Sequence, residues 1–328
     1  MKTYRMTLLP KTAFGSPLLG ESLFGMLCWN VAYSLGATHL EELLAGYLRG
    51  RPFAVISDAF PSGYLPLPAL PNCYWEETDD SKRKYMKKKA WISVKELLEG
   101  RTSYCKWRNI SKTDGEIGEE FCPAFNSDEK IQSFKVSDMV AHNTIHRLNG
   151  TTGKEEFSPY QCMKIWYQQQ VKLDVYAVID ESRFTKAELL ETMGSIGSFG
   201  FGRDASVGLG KFELTSDVEE IDISQNFASC LTLASSVLSE VVGVDNKKTF
   251  YRQKTHFGRH GAQFAVSGKP FKKPILLAQS GAVVSFVEPQ SISFLGKGLS
   301  GVSVAYPKTV HQGYCPVLPL PQIFGEGR

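Results

Sequence analysis

Apolar and polar positions alternate along the chain with two periods, and the switches between them mark its elements. Thr3 to Pro10 reads as a first strand closed by its proline. A turn at Phe14-Gly15-Ser16-Pro17 follows. Glu21 to Leu35 then sets Leu23, Phe24, Leu27, Cys28, Val31 and Leu35 on one helical face. Thr38-x-x-Glu41 predicts a capping box for a second helix, with Leu40, Leu43, Leu44, Tyr47 and Leu48 inward and Gly50 at its end. Phe53 to Ser57 is a short strand. Further on, Val171, Leu173, Val175, Ala177 and Ile179 alternate with Lys172, Asp174, Tyr176 and Val178, the pattern of a strand with one buried face. A capping box at Thr185-x-x-Glu188 opens a helix through Leu189, Leu190 and Met193, and Lys211 to Leu214 returns to strand.

From about residue 60 to 168 the periodicity breaks up, and this region reads as an insertion in the first domain without a separate core. It carries Pro61, Pro66, Pro68 and Pro71, a short helix capped by Ser93-x-x-Glu96, and a polar stretch from Lys112 to Glu120 expected to be disordered. Met139 to Tyr167 predicts an extended hairpin with its tip at Asn149-Gly150-Thr151-Thr152-Gly153. A second domain begins after residue 215. In it Phe227 to Val242 suggests strand then helix, and strands are expected at Phe264–Val266, Ile275–Leu277, Ala282–Val287 and Cys315–Leu320. The fold class is α+β, with a first domain at 1–215 and a second at 216–328.

Composition changes this picture little. The chain has 328 residues, 42% of them hydrophobic and 22% charged, which fits globular domains with sizeable cores. A net charge of +3 gives no reason by itself to invoke nucleic acid, but Lys82, Arg83, Lys84, Lys87, Lys88 and Lys89 are clustered. A solvated surface and an RNA contact both account for that cluster. Seven cysteines are scattered singly, without a Cys-x-x-Cys pair or a leader segment, which points to reduced thiols in the cytoplasm. No apolar run reaches membrane-spanning length.

The candidate chemistry lies between the capped helix and the next strand. Residues 194 to 211 hold Gly194, Gly197, Gly200, Gly202, Gly208 and Gly210, with Arg203 and Lys211 among them. Such a run is expected where the main chain takes positive φ or approaches a ligand, and its N–H groups can build an anion-binding concavity. Gly200-x-Gly202-x-x-Ala205 has the letters of a dinucleotide fingerprint, but that motif follows a strand and opens a helix, whereas here a helix leads to a strand. A phosphate-bearing ligand is expected; a flexible linker is the alternative. Strand, capped helix, glycine loop and strand together make half of a ferredoxin-like fold.

That arrangement resembles the RAMP superfamily of CRISPR RNA-binding proteins. Leu8-Leu9-Pro10, Phe14-Gly15-Ser16 and Leu23-Phe24-Gly25 look like the family's first strand and helix. Ser57-Asp58-Ala59-Phe60-Pro61, Leu65-Pro66-Leu67-Pro68, His142-Asn143-Thr144-Ile145-His146-Arg147 and Tyr251-Arg252-Gln253-Lys254 are similar to the family of fourth subunits of the type III-A (Csm) effector complex. The resemblance implies two ferredoxin-like (RRM-type) domains, the first bearing a thumb hairpin and the glycine-rich loop. It implies a subunit that holds the 5′ repeat-derived handle of crRNA, lies near target RNA at the handle–guide junction, and joins the large polymerase-type subunit to a backbone RAMP subunit. No catalysis, cofactor or membrane is implied. The corresponding RNA contacts are Ser16, Gly200, Phe201, Gly202, Arg203, Ser206, Gly208, Gly210 and Lys211 around the loop. In the hairpin they are His142, Asn143, Ile145, His146 and Arg147, and in the second domain Arg252, Lys254 and His256. Cations on phosphates and rings on splayed bases are how single-stranded RNA is held.

Two rivals come from other classes. An endoribonuclease needs a general acid and base, for which His39, His142 and His146 are the candidates, with Asp58 as a metal ligand. A metal site draws on His142-x-x-x-His146 or His256-x-x-x-His260, but the first pair lies in an extended segment and the second encloses Gly258.

Overall fold

In the computed structural model, β1 (Lys2–Pro10) passes through the turn at 12–17 into α1 (Gly20–Ser34). The structure describes all residues except 78, 101, 123–132, 154–157, 262–263, 266–267, 322 and 324–328. Leu23, Phe24, Leu27 and Val31 of α1 are buried, as their spacing requires. In α2 (Ala37–Leu44) the expected capping box does not form: Gly36 is the N-cap and Thr38 lies inside the helix. The left-handed Gly46 then breaks the helix, so Tyr47 and Leu48 fall in a separate 3-10 turn. β2 (Ala54–Ile56) and β3 (Phe60–Pro61) follow.

The insertion contains β4 (Tyr64–Pro66), α3 (Arg83–Met86), β5 (Trp91–Ser93), α4 (Val94–Glu99), α5 (Trp107–Ile110) and α6 (Asp114–Phe121). Helix α6 replaces the disorder expected at 112–120. Thr113 accepts the Glu116 N–H and the Glu116 carboxylate accepts the Thr113 N–H, a capping box legible as Thr113-x-x-Glu116. Glu116 also takes the Tyr85 hydroxyl (2.6 Å) and the Lys89 ammonium (3.0 Å), which ties the end of the basic cluster to α6. Lys82, Arg83, Lys84, Lys87 and Lys88 stay exposed. The hairpin of β6 (Lys135–His142) and β7 (Tyr160–Tyr167) pairs from Lys135↔Tyr167 to His142↔Tyr160, starting four residues before the expected Met139.

β8 (Leu173–Ile179), α7 (Lys186–Phe199) and β9 (Phe212–Ile221) complete an antiparallel sheet in the order β2-β8-β1-β9, with β3 also on β8. Strand β8 is buried on both faces, where the sequence suggested one. Tyr176 packs with Leu231 and Leu318 of the second domain, and Asp174 is satisfied by the Thr7 hydroxyl (2.7 Å) and the Gly63 N–H (2.9 Å). Helix α7 continues to Phe199, so Gly194 and Gly197 are helical and the loop starts at Gly200. At Gly197 a Cβ would stand 2.3 Å from the Phe212 carbonyl, so the glycine permits helix and strand to touch.

β9 runs to Ile221. Beyond it lie β10 (Phe227–Thr232), β11 (Gln253–His256), β12 (Ile275–Ala278), β13 (Val283–Gln290), β14 (Phe294–Leu299) and β15 (His311–Leu320). They form an antiparallel sheet β13-β10-β15-β14 and a separate β11–β12 ribbon. The helix expected after β10 is not formed. The N–H groups of Ser236 and Val237 bond to Ala278 and Gly313 instead, so the backbone is satisfied by sheet neighbours. Of the strand expected at Phe264–Val266, Val266 lies outside the described residues, and Phe264 sits in a 3-10 turn with its ring stacked 3.9 Å from Tyr306.

The two sheets are fastened directly. Gln312 on β15 accepts the Ile56 N–H (2.9 Å) and donates to its carbonyl (2.7 Å), and the Tyr314 hydroxyl donates to the Tyr47 carbonyl (2.6 Å). The insertion shares its core with the second sheet: Trp75, Ile92, Leu97 and Trp107 pack with Leu231, Val283, Leu318 and Leu320. All seven cysteines are unpaired thiols. Among the described residues, no helix is long and apolar enough to cross a membrane.

Candidate nucleic-acid interface

The loop at 200–211 is stitched to the β1–α1 turn by its main chain. Gly200 leaves α7 at φ 106°, the Phe201 N–H bonds to the Gly210 carbonyl (2.9 Å), and the Gly210 N–H bonds to the Ala13 carbonyl (2.7 Å). Gly210 has φ 74°, and a Cβ on it would lie 2.1 Å from the Phe201 carbonyl oxygen. Only glycine fits there. Ser16 Oγ accepts the Arg203 N–H (3.2 Å) and fills the space beside Gly202, while Thr12 Oγ1 accepts the Lys211 N–H (2.9 Å). The N–H groups of Val207, Gly208 and Leu209 are also bonded within the loop. The expected anion concavity is therefore largely closed, and contact with a ligand falls to side chains.

Phe201 does not meet the expectation of an RNA contact. Its ring is fully buried against Phe14, with centroids 6.5 Å apart, so it belongs to the core and cannot stack on a base. The exposed ring at this end is Phe199, 77% accessible. Arg203, Ser206 and Lys211 present their side chains outward. Arg203 pairs with Asp204 (3.3 Å) and donates to the Met163 carbonyl on β7. Asp204, at φ 64°, is the one non-glycine residue with positive φ among those described. Gly208, at φ 93°, faces open space.

The hairpin is pinned to the same turn. The Phe14 N–H bonds to the Ile165 carbonyl (2.8 Å) and the Ile165 N–H to the Phe14 carbonyl (2.9 Å). His142 stacks on Tyr160 at 5.3 Å. Beyond β6, Asn143, Ile145 and Arg147 are exposed, and Leu148 is 93% accessible. His146 bridges to Thr151 through its main chain and closes the tip. Loop, turn and hairpin thus form one continuous surface, with Arg203 between loop and hairpin. The Phe14 pin and the Asp204 conformation carried no sequence signal beyond the glycines around them.

The second-domain candidates divide. Arg252 is exposed and lies close enough to Arg108 that burial and the like charge together lower the Arg108 pKa. Lys254 and His256 point inward. The Lys254 ammonium lies 3.0 Å and the His256 Nδ1 3.2 Å from the same oxygen of Glu21, which is buried in the first turn of α1. Burial alone would raise the Glu21 carboxyl; His256 and Lys254 outweigh it and hold it at about 2. Asp58, bonded to the Gly20 N–H (2.8 Å), is pushed up to about 7 by burial and by the charge of Glu21. His311 on β15 is driven down to about 3, by burial first and then by Lys272 and His256. This cluster joins α1, β11 and β15, so Lys254 and His256 are engaged in holding these elements together.

The rivals' residues are likewise engaged. His39 Nδ1 lies 3.7 Å from Glu42, Asp58 is enclosed as described, and His260 bonds to Ser303 (2.8 Å). Among the described residues, no group of three or more His, Cys, Asp or Glu side chains is arranged to hold a metal.

No family model and no curated protein matches the sequence. Solved structures do match in fold. One is a chain of the crystal structure of a Csm1–Csm4 cassette in complex with pppApA, at TM-score 0.58 and 16% identity over all of both chains. Another is a chain of the crystal structure of a Csm3–Csm4 subcomplex in the type III-A CRISPR-Cas interference complex. It has TM-score 0.57 and 18% identity, covering 98% of this chain and all of that one. The likeness extends over the whole molecule and shows a shared fold of mixed helix and sheet.

Proposed function

We propose that this chain is a RAMP-type, non-catalytic subunit of a type III-A CRISPR interference complex that holds the 5′ handle of crRNA. It bridges the large polymerase-type subunit to the backbone subunits. The observation that carries this is the convergence of three elements on the turn at 12–16: the glycine loop through Ser16 and Thr12, and the hairpin through Phe14. A rigid seat for RNA phosphates results, with Arg203 and Lys211 exposed on it. The hairpin pinned to this turn carries Ile145, Arg147 and Leu148 at its exposed end, where an apolar side chain can wedge between bases at the handle–guide junction. The full-length likeness to chains from Csm1–Csm4 and Csm3–Csm4 complexes supports the choice of assembly. We read the first sheet as a ferredoxin-like domain because β1, α1, β2, β8, α7 and β9 follow the order β-α-β-β-α-β. The second sheet is read as its counterpart with both helices lost.

The test is to purify the protein with its bound nucleic acid and sequence that RNA. A common repeat-derived 5′ end is expected. A protein that carries no RNA, or that cuts precursor crRNA or target RNA in a manner abolished by His39→Ala, would overturn the reading. Deleting residues 148 to 154 should spare handle binding and disturb guide–target pairing at the junction.

A further inference from the structure

Residues 246 to 287 contain eight lysines and arginines and no aspartate or glutamate. This asymmetry stands out in a chain whose overall charge is only +3. Its described residues include the β11–β12 ribbon, which continues past its named strands: the Lys272 N–H bonds to the Gly258 carbonyl and Arg259 bridges to Phe271. Along the first arm burial alternates residue by residue. Lys254, His256, Gly258 and His260 face inward; Gln253, Thr255, Phe257 and Arg259 are exposed.

The outward face is therefore a different chemical surface from the inward one. Phe257 is 74% and Phe271 70% accessible, two large rings on one short ribbon. The Arg259 guanidinium already lies over the Phe271 ring, 5.6 Å from its centroid. Lys273 and Arg252 are exposed beside them. Exposed rings interleaved with cations, without carboxylates to compete, suit stacked bases and tracked phosphates. An acidic protein surface would satisfy the cations but gives no reason for two bare rings.

We infer that the outward face of this ribbon is a second binding surface for single-stranded RNA, in which Phe257 and Phe271 stack on bases and Arg259 and Lys273 hold phosphates. It rests on the proposed function only for the kind of polymer, and it shares no residue with the glycine loop. Stacking and phosphate contact read no base edges, so this surface binds without sequence preference.

The experiment uses the full chain and a fluorescein-labelled 20-nucleotide oligouridylate. Three variants are compared with the unaltered protein: Phe257→Ala with Phe271→Ala, Arg259→Glu with Lys273→Glu, and Arg203→Glu with Lys211→Glu. All six side chains are at least partly exposed, and thermal melts verify folding. The ring pair is expected to weaken binding at least about five-fold per base lost. The ribbon charge pair is expected to make the salt dependence shallower by about 0.7 per phosphate contact removed. Crosslinking with a 4-thiouridine oligonucleotide should map to the peptides bearing Phe257 and Phe271. If both ribbon variants bind as the unaltered protein does while the loop variant fails, the ribbon inference falls and the loop stands. If only the ribbon variants fail, the loop assignment falls and the ribbon stands. Loss of assembly with partner proteins at unchanged RNA affinity would make the ribbon a protein interface and also overturn the inference.

Discussion

The glycine loop and the β11–β12 ribbon look alike in sequence, since each mixes glycine, phenylalanine, histidine or serine with cations, yet they sort these residues in opposite ways. In the loop the ring goes in and the cations stay out: Phe201 fills the core beside Phe14 while Arg203 and Lys211 are exposed. In the ribbon two basic groups go in and the rings stay out: Lys254 and His256 are bonded to Glu21 while Phe257 is bare. The cause is the backbone. The loop is built on glycines with positive φ, which let its main chain fold onto the β1–α1 turn and pull Phe201 inward. The ribbon has a strict period of two, which assigns every second residue to a face regardless of its type. Residue type proposes a contact; the local backbone period decides whether it is available.

The largest expected effect tests the loop half of that contrast. Gly210→Ala meets both a left-handed φ and overlap with the Phe201 backbone, and should cost roughly 3–5 kcal/mol in denaturant unfolding. Gly208→Ala, at similar φ but in open space, should cost about 1 kcal/mol. Equal costs at the two sites would mean that the loop is not stitched to the turn as described. The ribbon half is tested by Glu21→Ala, which strands Lys254 and His256. Its cost should be about 3 kcal/mol, at the low end for a broken buried pair because Lys254 still reaches solvent. A change within about 0.5 kcal/mol, the range of ordinary surface substitutions, would mean that these residues do not hold the elements together.

The same cluster gives a pH signature with two opposing signs. His311 has a folded-state pKa of about 3 against 6.5 unfolded, so the unfolded chain binds the extra proton between those values and acidification destabilises. Asp58 has a folded-state pKa of about 7 against 3.8, so the native state binds the proton in that window and acidification stabilises. Each slope approaches at most about 1.4 kcal/mol per pH unit. Between pH 6.5 and 4 the two oppose each other in the unaltered protein. His311→Gln should therefore gain stability on acidification, and Asp58→Asn should lose it. Chemical denaturation across that range measures both; slopes of the same sign in the two variants would contradict the assignment. The smallest effect is expected at Phe199, whose replacement by alanine should alter stability by less than about 0.5 kcal/mol because its ring is already exposed.

Much of the first domain was legible in the sequence, and the physical reason is that its elements are stabilised locally. The stripe of α1 and the capping box of α7 are short-range signals; the box formed, and the stripe formed from Leu23 to Val31, with Leu35 exposed past the helix end. The box at Thr38 failed because Gly36 supplied the cap two residues earlier. The two-faced burial of β8 was not legible, because the second face is covered by residues more than fifty positions distant, such as Leu231 and Leu318. The loop was placed between the right helix and strand but begins at Gly200, six residues later than expected, and the fate of Phe201 depends on Phe14, nearly two hundred residues upstream. In the second domain the missing helix after β10 has the same origin, since its N–H groups find partners on β12 and β15.

The proposed function requires that the loop surface hold RNA phosphates through Arg203 and Lys211. The most direct measurement is the salt dependence of crRNA-handle binding by the assembled complex carrying Arg203→Glu with Lys211→Glu, beside the unaltered complex. Two lost phosphate contacts should make the slope of log affinity against log salt shallower by about 1.4, at 0.7 per single-strand contact, with the melting temperature unchanged. An identical slope and affinity in a folded, assembled variant would contradict the account.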